Sequence, residues 1–157
     1  MAVQAFDPDE ILLLPLYPQY STATSASSII DWKKSAAKVG LVKPTYTLCC
    51  YPVDKNWATA QSNLLRAQID TLENKQKYRV LFSAHGLPKK IVDRGDPYKW
   101  QVERSAETIA KVADLREKTW TVCYQSRVGP LEWIGPSLDD ELKRAAADGV
   151  CLLYTSD

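Results

Sequence analysis

The chain has 157 residues, 45% of them hydrophobic and 25% charged, the balance of one domain, or one domain with part of a neighbour, able to bury a core. Its 20 Lys and Arg against 19 Asp and Glu leave a formal net charge of +1, and without basic runs there is no electrostatic case for nucleic acid or an anionic membrane as partner. The longest apolar stretch, residues 11–14, stops at Pro15, far short of a membrane span, and no basic-then-apolar leader opens the chain, so the expected compartment is the cytoplasm.

The elements alternate. Residues 11–17 read as a strand. A helix follows over 24–40, with Ala26, Ile29, Ile30, Lys33 and Ala37 on one face and Gly40 as its stop. Residues 45–50 are the next strand, and 57–73 the next helix, with Ala58, Leu65, Ile69 and Leu72 at helical spacing. A third strand, 78–83, carries the apolar run Val80, Leu81, Phe82, and places the only histidine, His85, just past its end. Asp96 and Pro97 open a helix with a carboxylate cap and a first-turn proline. Its stripe is Val102, Ala106, Ile109, Ala110 and Ala113. Residues 119–124 are a strand, and Ser137 to Asp140 begin a last helix in the manner of a capping box, ending at Gly149.

This βαβαβαβα order predicts an α/β fold, a parallel sheet flanked by helices. The long loops, 84–97 and 125–136, both follow strands, so they fall on one edge of the sheet and are expected to line one cleft. The first carries His85, two lysines, Arg94, Asp93 and Asp96. The second carries Gln125, Ser126, Arg127, Glu132 and Trp133 in a frame fixed by glycine and proline. Neither is a phosphate-binding glycine loop, and no serine nucleophile elbow is present. Cys49, Cys50, Cys123 and Cys151 match no zinc spacing and read as buried free thiols. At this point His85 is open to two roles, a solvated loop histidine or the imidazole of a site. The groups around it suit a flat aromatic ligand with acidic substituents, or a metal.

Three motifs go further. "LPLYPQYST" at 14–22, "SAHGLPKKIVDRGDPY" at 83–98 and "YQSRVGPLEWIGPS" at 124–137, in that order, resemble the ferrochelatase family. The resemblance spans about residues 5–150. It implies a fold of two similar α/β lobes with porphyrin held between them. Residues 1–22 would be the last strand of a first lobe, and 23–150 most of the second. His85 matches the family's active-site histidine, as proton acceptor or iron ligand. Ser or Gly usually follows it, here Gly86. Ser126 matches a position that reaches a porphyrin propionate, Trp133 a tryptophan close to the site, and Arg127 stands where relatives often carry Lys. Gln125, beside them, joins the porphyrin-binding set.

The implied reaction is insertion of ferrous iron into protoporphyrin IX, with iron as substrate and no further cofactor required. Peripheral membrane association is compatible with it, and oligomeric state and an iron–sulfur cluster are left open. A related chelatase for another metal or tetrapyrrole, or a non-catalytic tetrapyrrole-binding module, are the alternatives. The family's second catalytic group, a glutamate, is expected downstream of the run "GVCLL". Residues 151–157, "CLLYTSD", depart from the family after their first three residues. Back-translated, they resemble a transposon-end sequencing adapter, so they are expected to be a non-native tail.

Overall fold

A computed structural model describes residues 2–73 and 77–156. The chain forms two compact units that divide between Pro52 and Val53. The boundary expected at 22/23 therefore falls inside the first unit.

The first unit contains α1 (Ala2–Phe6), β1 (Ile11–Leu13), α2 (Ser25–Lys38) and β2 (Thr45–Thr47). Strands β1 and β2 pair in parallel, Ile11 opposite Thr45 and Leu13 opposite Thr47. Both strands are shorter than the sequence suggests. Pro15 cannot continue a ladder, which ends β1 early. Beyond β2 the chain runs on as a loop, and the Tyr51 N–H donates to the Pro18 carbonyl at 2.8 Å. Cys49 therefore lies outside the strand and is exposed, and Cys50 is half-buried. The expectation of buried thiols fails at Cys49 for this reason.

Helix α2 stops at Gly40 as anticipated, with φ +67° and the Leu41 N–H returning to the Ala36 carbonyl at 3.0 Å. Its inward face differs, however. Ser25 is fully buried, while Ile30 is 52% exposed and Lys33 and Ala37 face solvent. Ile29, Trp32 and Ala36 are the half-buried positions in line with Ser25. The buried Ser21 fixes this rotation: its carbonyl accepts from Ala26 at 3.1 Å and its hydroxyl from Ala23 at 3.1 Å.

The second unit contains α3 (Lys55–Asp70), β3 (Tyr78–His85), α4 (Lys89–Asp93), α5 (Tyr98–Val112), β4 (Trp120–Gln125), α6 (Leu138–Ala147) and β5 (Cys151–Ser156). Its sheet is parallel in the order β4-β3-β5. The alternation of side chains along β3 and β4 splits the core between two faces. Val80 and Phe82 pack with Ala58 and Leu65 of α3 and with Ala106, Ile109 and Ala110 of α5. Nearer the carboxyl end of the strands, Ala84 and Tyr124 pack with Tyr98, Val102 and Ile134. The predicted α5 stripe is buried throughout. Ser62, a polar residue in this core, donates to the Ala58 carbonyl at 2.7 Å and the Ile109 carbonyl at 3.1 Å, joining α3 to α5. Leu81 and Cys123 alternate to the other face, where both are fully buried and α6 packs against β3 and β4.

Helix α3 begins at Lys55, two residues before the predicted start, while the starts of α5 and α6 follow the sequence. Asp54 caps α3 by accepting from the Trp57 N–H at 2.8 Å. Ser137 caps α6 by accepting from the Asp140 N–H at 3.1 Å. For α5 the cap position is Pro97, and the carboxylate before it does the work: Asp96 Oδ1 accepts from the Tyr98 N–H at 2.9 Å. Residues 151–156 form β5, in register with β3 from Tyr78–Cys151 to Ser83–Ser156. A short apolar run leaving a helix that ends at Gly149 (φ +62°) meets the open edge of β3 and completes its ladder. Asp157 lies outside the described residues.

Candidate active site at the carboxyl ends of β3 and β4

Strand β3 is two residues longer than the sequence suggests, and His85 is its last residue, not the first of a loop. The extension comes from pairing that local sequence does not show: Ala84 lies opposite Tyr124 and His85 opposite Gln125. His85 is thereby fixed by the sheet. It is exposed, and among the described residues its imidazole has no hydrogen-bond partner. Side-chain alternation puts His85 and Gln125 on the face shared by Ser83 and Cys123.

The two long loops do meet, and they meet along a backbone seam. The Gly86 N–H donates to the Gln125 carbonyl at 2.8 Å, and the Ile134 N–H donates to the Leu87 carbonyl at 3.0 Å. Pro88 and Trp133 form an antiparallel bridge. The Lys89 N–H reaches the Glu132 carbonyl at 2.8 Å, and the Lys89 ammonium pairs with Glu132 Oε1, also at 2.8 Å. That carboxylate raises the Lys89 pKa above its ordinary value, first by its hydrogen bond and then by its charge. Gly86 was marked in the sequence as the residue after the motif histidine, but its close approach to β4 was not, and nothing in the sequence signalled the pairing of Lys89 with Glu132.

All five site residues expected from the sequence gather here. Gln125 ends β4, and Ser126 follows it with φ +61°. A serine in this left-handed region is uncommon, and such conformations concentrate at functional sites. It turns the chain sharply, so that Arg127 comes back beside Gly86. A Cβ built on Gly86 would lie 3.3 Å from Arg127 Cγ and 3.2 Å from Trp133 Cε3. Ser126 and Arg127 are both exposed, and Arg127 has no ion-pair partner among the described residues. Trp133 is half-buried. Its indole Nε1 is buried without a hydrogen-bond partner among the described residues, and its ring edge seats on Gly86.

The chemistry available is specific. An exposed imidazole on a fixed strand end can serve as a proton acceptor or ligate a divalent ion. An unpaired guanidinium and a hydroxyl beside it can hold a carboxylate. An indole supplies a flat apolar wall. Among the described residues no three His, Cys, Asp or Glu side chains gather into a group that would hold a metal ion.

A family model described as Ferrochelatase matches residues 1–156. The chain belongs to the ferrochelatase family. It is 51% identical over 154 residues to a ferrochelatase of Phenylobacterium zucineum, a match covering 98% of this chain and 43% of that protein. It is 49% identical over 138 residues to one of Pelagibacter ubique, covering 88% of this chain and 39% of that protein. It is 46% identical over 154 residues to one of Caulobacter vibrioides, with coverages of 98% and 43%. The chain thus spans less than half the length of these curated ferrochelatase relatives. No described helix is long and apolar enough to cross a membrane.

Proposed function

We propose that the protein carrying this chain inserts ferrous iron into protoporphyrin IX, releasing two pyrrole protons and forming protohaem. The observation that supports this best is the convergence of His85, Gln125, Ser126, Arg127 and Trp133 at one sheet edge in a chain of the ferrochelatase family. Metallation requires a proton acceptor near the ring nitrogens, delivery of a desolvated iron ion, and a grip on the porphyrin periphery. His85 supplies the first or the second of these from the end of β3. Arg127 and the Ser126 hydroxyl take a propionate, with Gln125 beside them, and Trp133 walls the flat macrocycle.

Bending a stiff ring toward the metallated geometry costs free energy that binding its periphery must supply. A seam of backbone hydrogen bonds is suited to this, because a loop that yielded to the ring could not bend it. The whole protein adds a carboxylate from sequence downstream of this chain and porphyrin contacts from the part upstream. Iron enters as substrate, no further cofactor takes part, and the cytoplasm is the compartment in this reading. Iron-insertion assays on the whole protein and on this chain test it. Insertion by the whole protein alone, with iron preferred over other divalent metals, is expected. Insertion of a different metal in preference would make it a related chelatase, and porphyrin binding without insertion by the whole protein would make it a binding module.

A further inference from the structure

We infer that Gly86 is a positioning residue for the porphyrin, the point that sets where Gln125, Arg127 and Trp133 stand relative to His85. This inference rests on the proposed function and deepens it. Gly86 is buried, directly follows His85, and bonds through its N–H to the Gln125 carbonyl at 2.8 Å. A methyl group at this position would lie 2.9 Å from that same carbonyl oxygen, 3.2 Å from Trp133 Cε3 and 3.3 Å from Arg127 Cγ. The first separation is shorter than a Cβ tolerates, and the atom it meets is backbone, held in the β3–β4 ladder. A flexible side chain could swing away; this carbonyl can move only by carrying the end of β4 with it.

The reason for glycine here is space, since Gly86 is not among the glycines with positive φ. Three of the four residues assigned to the porphyrin periphery touch the volume that its missing side chain leaves empty. The fourth, Ser126, lies between two of them in a left-handed turn that transmits any shift of Gln125 to Arg127. His85 is less exposed to the change, because it sits before Gly86 within the ladder. A side chain at 86 therefore displaces the porphyrin grip more than the proton acceptor or iron ligand, and the effect should fall on porphyrin KM more than on kcat.

Gly86→Ala and Gly86→Ser in the whole protein test this. The expected result is a porphyrin KM raised about tenfold, equivalent to about 1.4 kcal/mol, with kcat within about threefold and an unchanged KM for iron. The emission of Trp133, recorded with the other tryptophans replaced by Phe, should shift in the same variants. Unchanged porphyrin KM and unchanged Trp133 emission in folded variants, beside a wild type that inserts iron, would overturn the inference and leave the proposed function standing. A wild type without insertion would overturn the function itself. Should both variants fail to fold, amide exchange in the wild type decides: the Gly86 N–H should be protected and slow further when porphyrin binds. Exchange at the rate of an open loop would overturn the inference.

Discussion

Asp96→Ala should measurably loosen the second unit, because one carboxylate fixes the junction between the His85 loop and α5. Its Oδ1 accepts from the Tyr98 N–H at 2.9 Å. Asp96 is 7% exposed and Tyr98 8%, so water cannot easily replace the lost acceptor. Losing an N-cap costs roughly 0.5–2 kcal/mol, and leaving a buried N–H unsatisfied costs roughly 1–3 kcal/mol. The two describe the same donor and overlap, which gives roughly 2 kcal/mol in all. For a domain of about 100 residues, each kcal/mol shifts Tm by roughly 4–8 °C, so a fall of about 10 °C is the expected scale. Thermal unfolding followed by circular dichroism measures it. Asp96→Asn keeps a side-chain oxygen in place and should recover most of the loss. A Tm for Asp96→Ala within about 2 °C of wild type would refute the capping argument, and an Asn variant as unstable as the Ala variant would show that geometry at this carboxylate is not what matters.

Burial, aided by the Glu141 charge, pushes the Cys123 thiol up from 9.0 to about 11, and burial also raises the Tyr124 hydroxyl. A folded pKa above the unfolded one favours the folded state below about pH 9 and loses that contribution as pH rises toward 11. Urea midpoints should therefore fall across that window and fall less in Cys123→Ala; a flat profile would contradict the burial of this thiol. Porphyrin should quench Trp133 emission when the other four tryptophans are Phe, and no change at saturation would reduce Trp133 to a packing residue on Gly86. Hydrogen exchange should be slower over Ile11 to Leu13, which pair with β2, than over residues 14–17, whose Leu14, Leu16 and Tyr17 side chains are exposed; equal rates would argue against the β1–β2 ladder.

Much of the second unit was legible because its signals are local. The α5 stripe follows the helical period, Ser137 is a side-chain cap, and Val80 to Phe82 form a short apolar run bounded by polar residues and a turn. The inward face of α2 differs because it is built on the buried Ser25 and the half-buried Ala36, small residues that carry little apolar signal, while Ile30 is exposed. The length of β3 was also hidden. Its last two residues are strand because Tyr124 and Gln125 lie opposite them, forty residues away in sequence. The site followed the same division. His85, Ser126 and Trp133 came from motifs, whereas the empty space at Gly86 and the pairing of Lys89 with Glu132 exist only once two distant loops are brought together.

The most direct test of the central claim is the rate of iron insertion by the whole protein with His85→Ala. The imidazole is exposed and makes no hydrogen bond among the described residues, so its removal should leave stability within about 0.5 kcal/mol and porphyrin binding intact. Loss of a general acid–base group costs roughly a hundredfold to ten-thousandfold in rate, and loss of an iron ligand more, so insertion should fall at least a hundredfold. A folded His85→Ala protein that binds porphyrin and inserts iron at the wild-type rate would contradict the assignment of this histidine, and with it the reading of the β3–β4 edge as the active site.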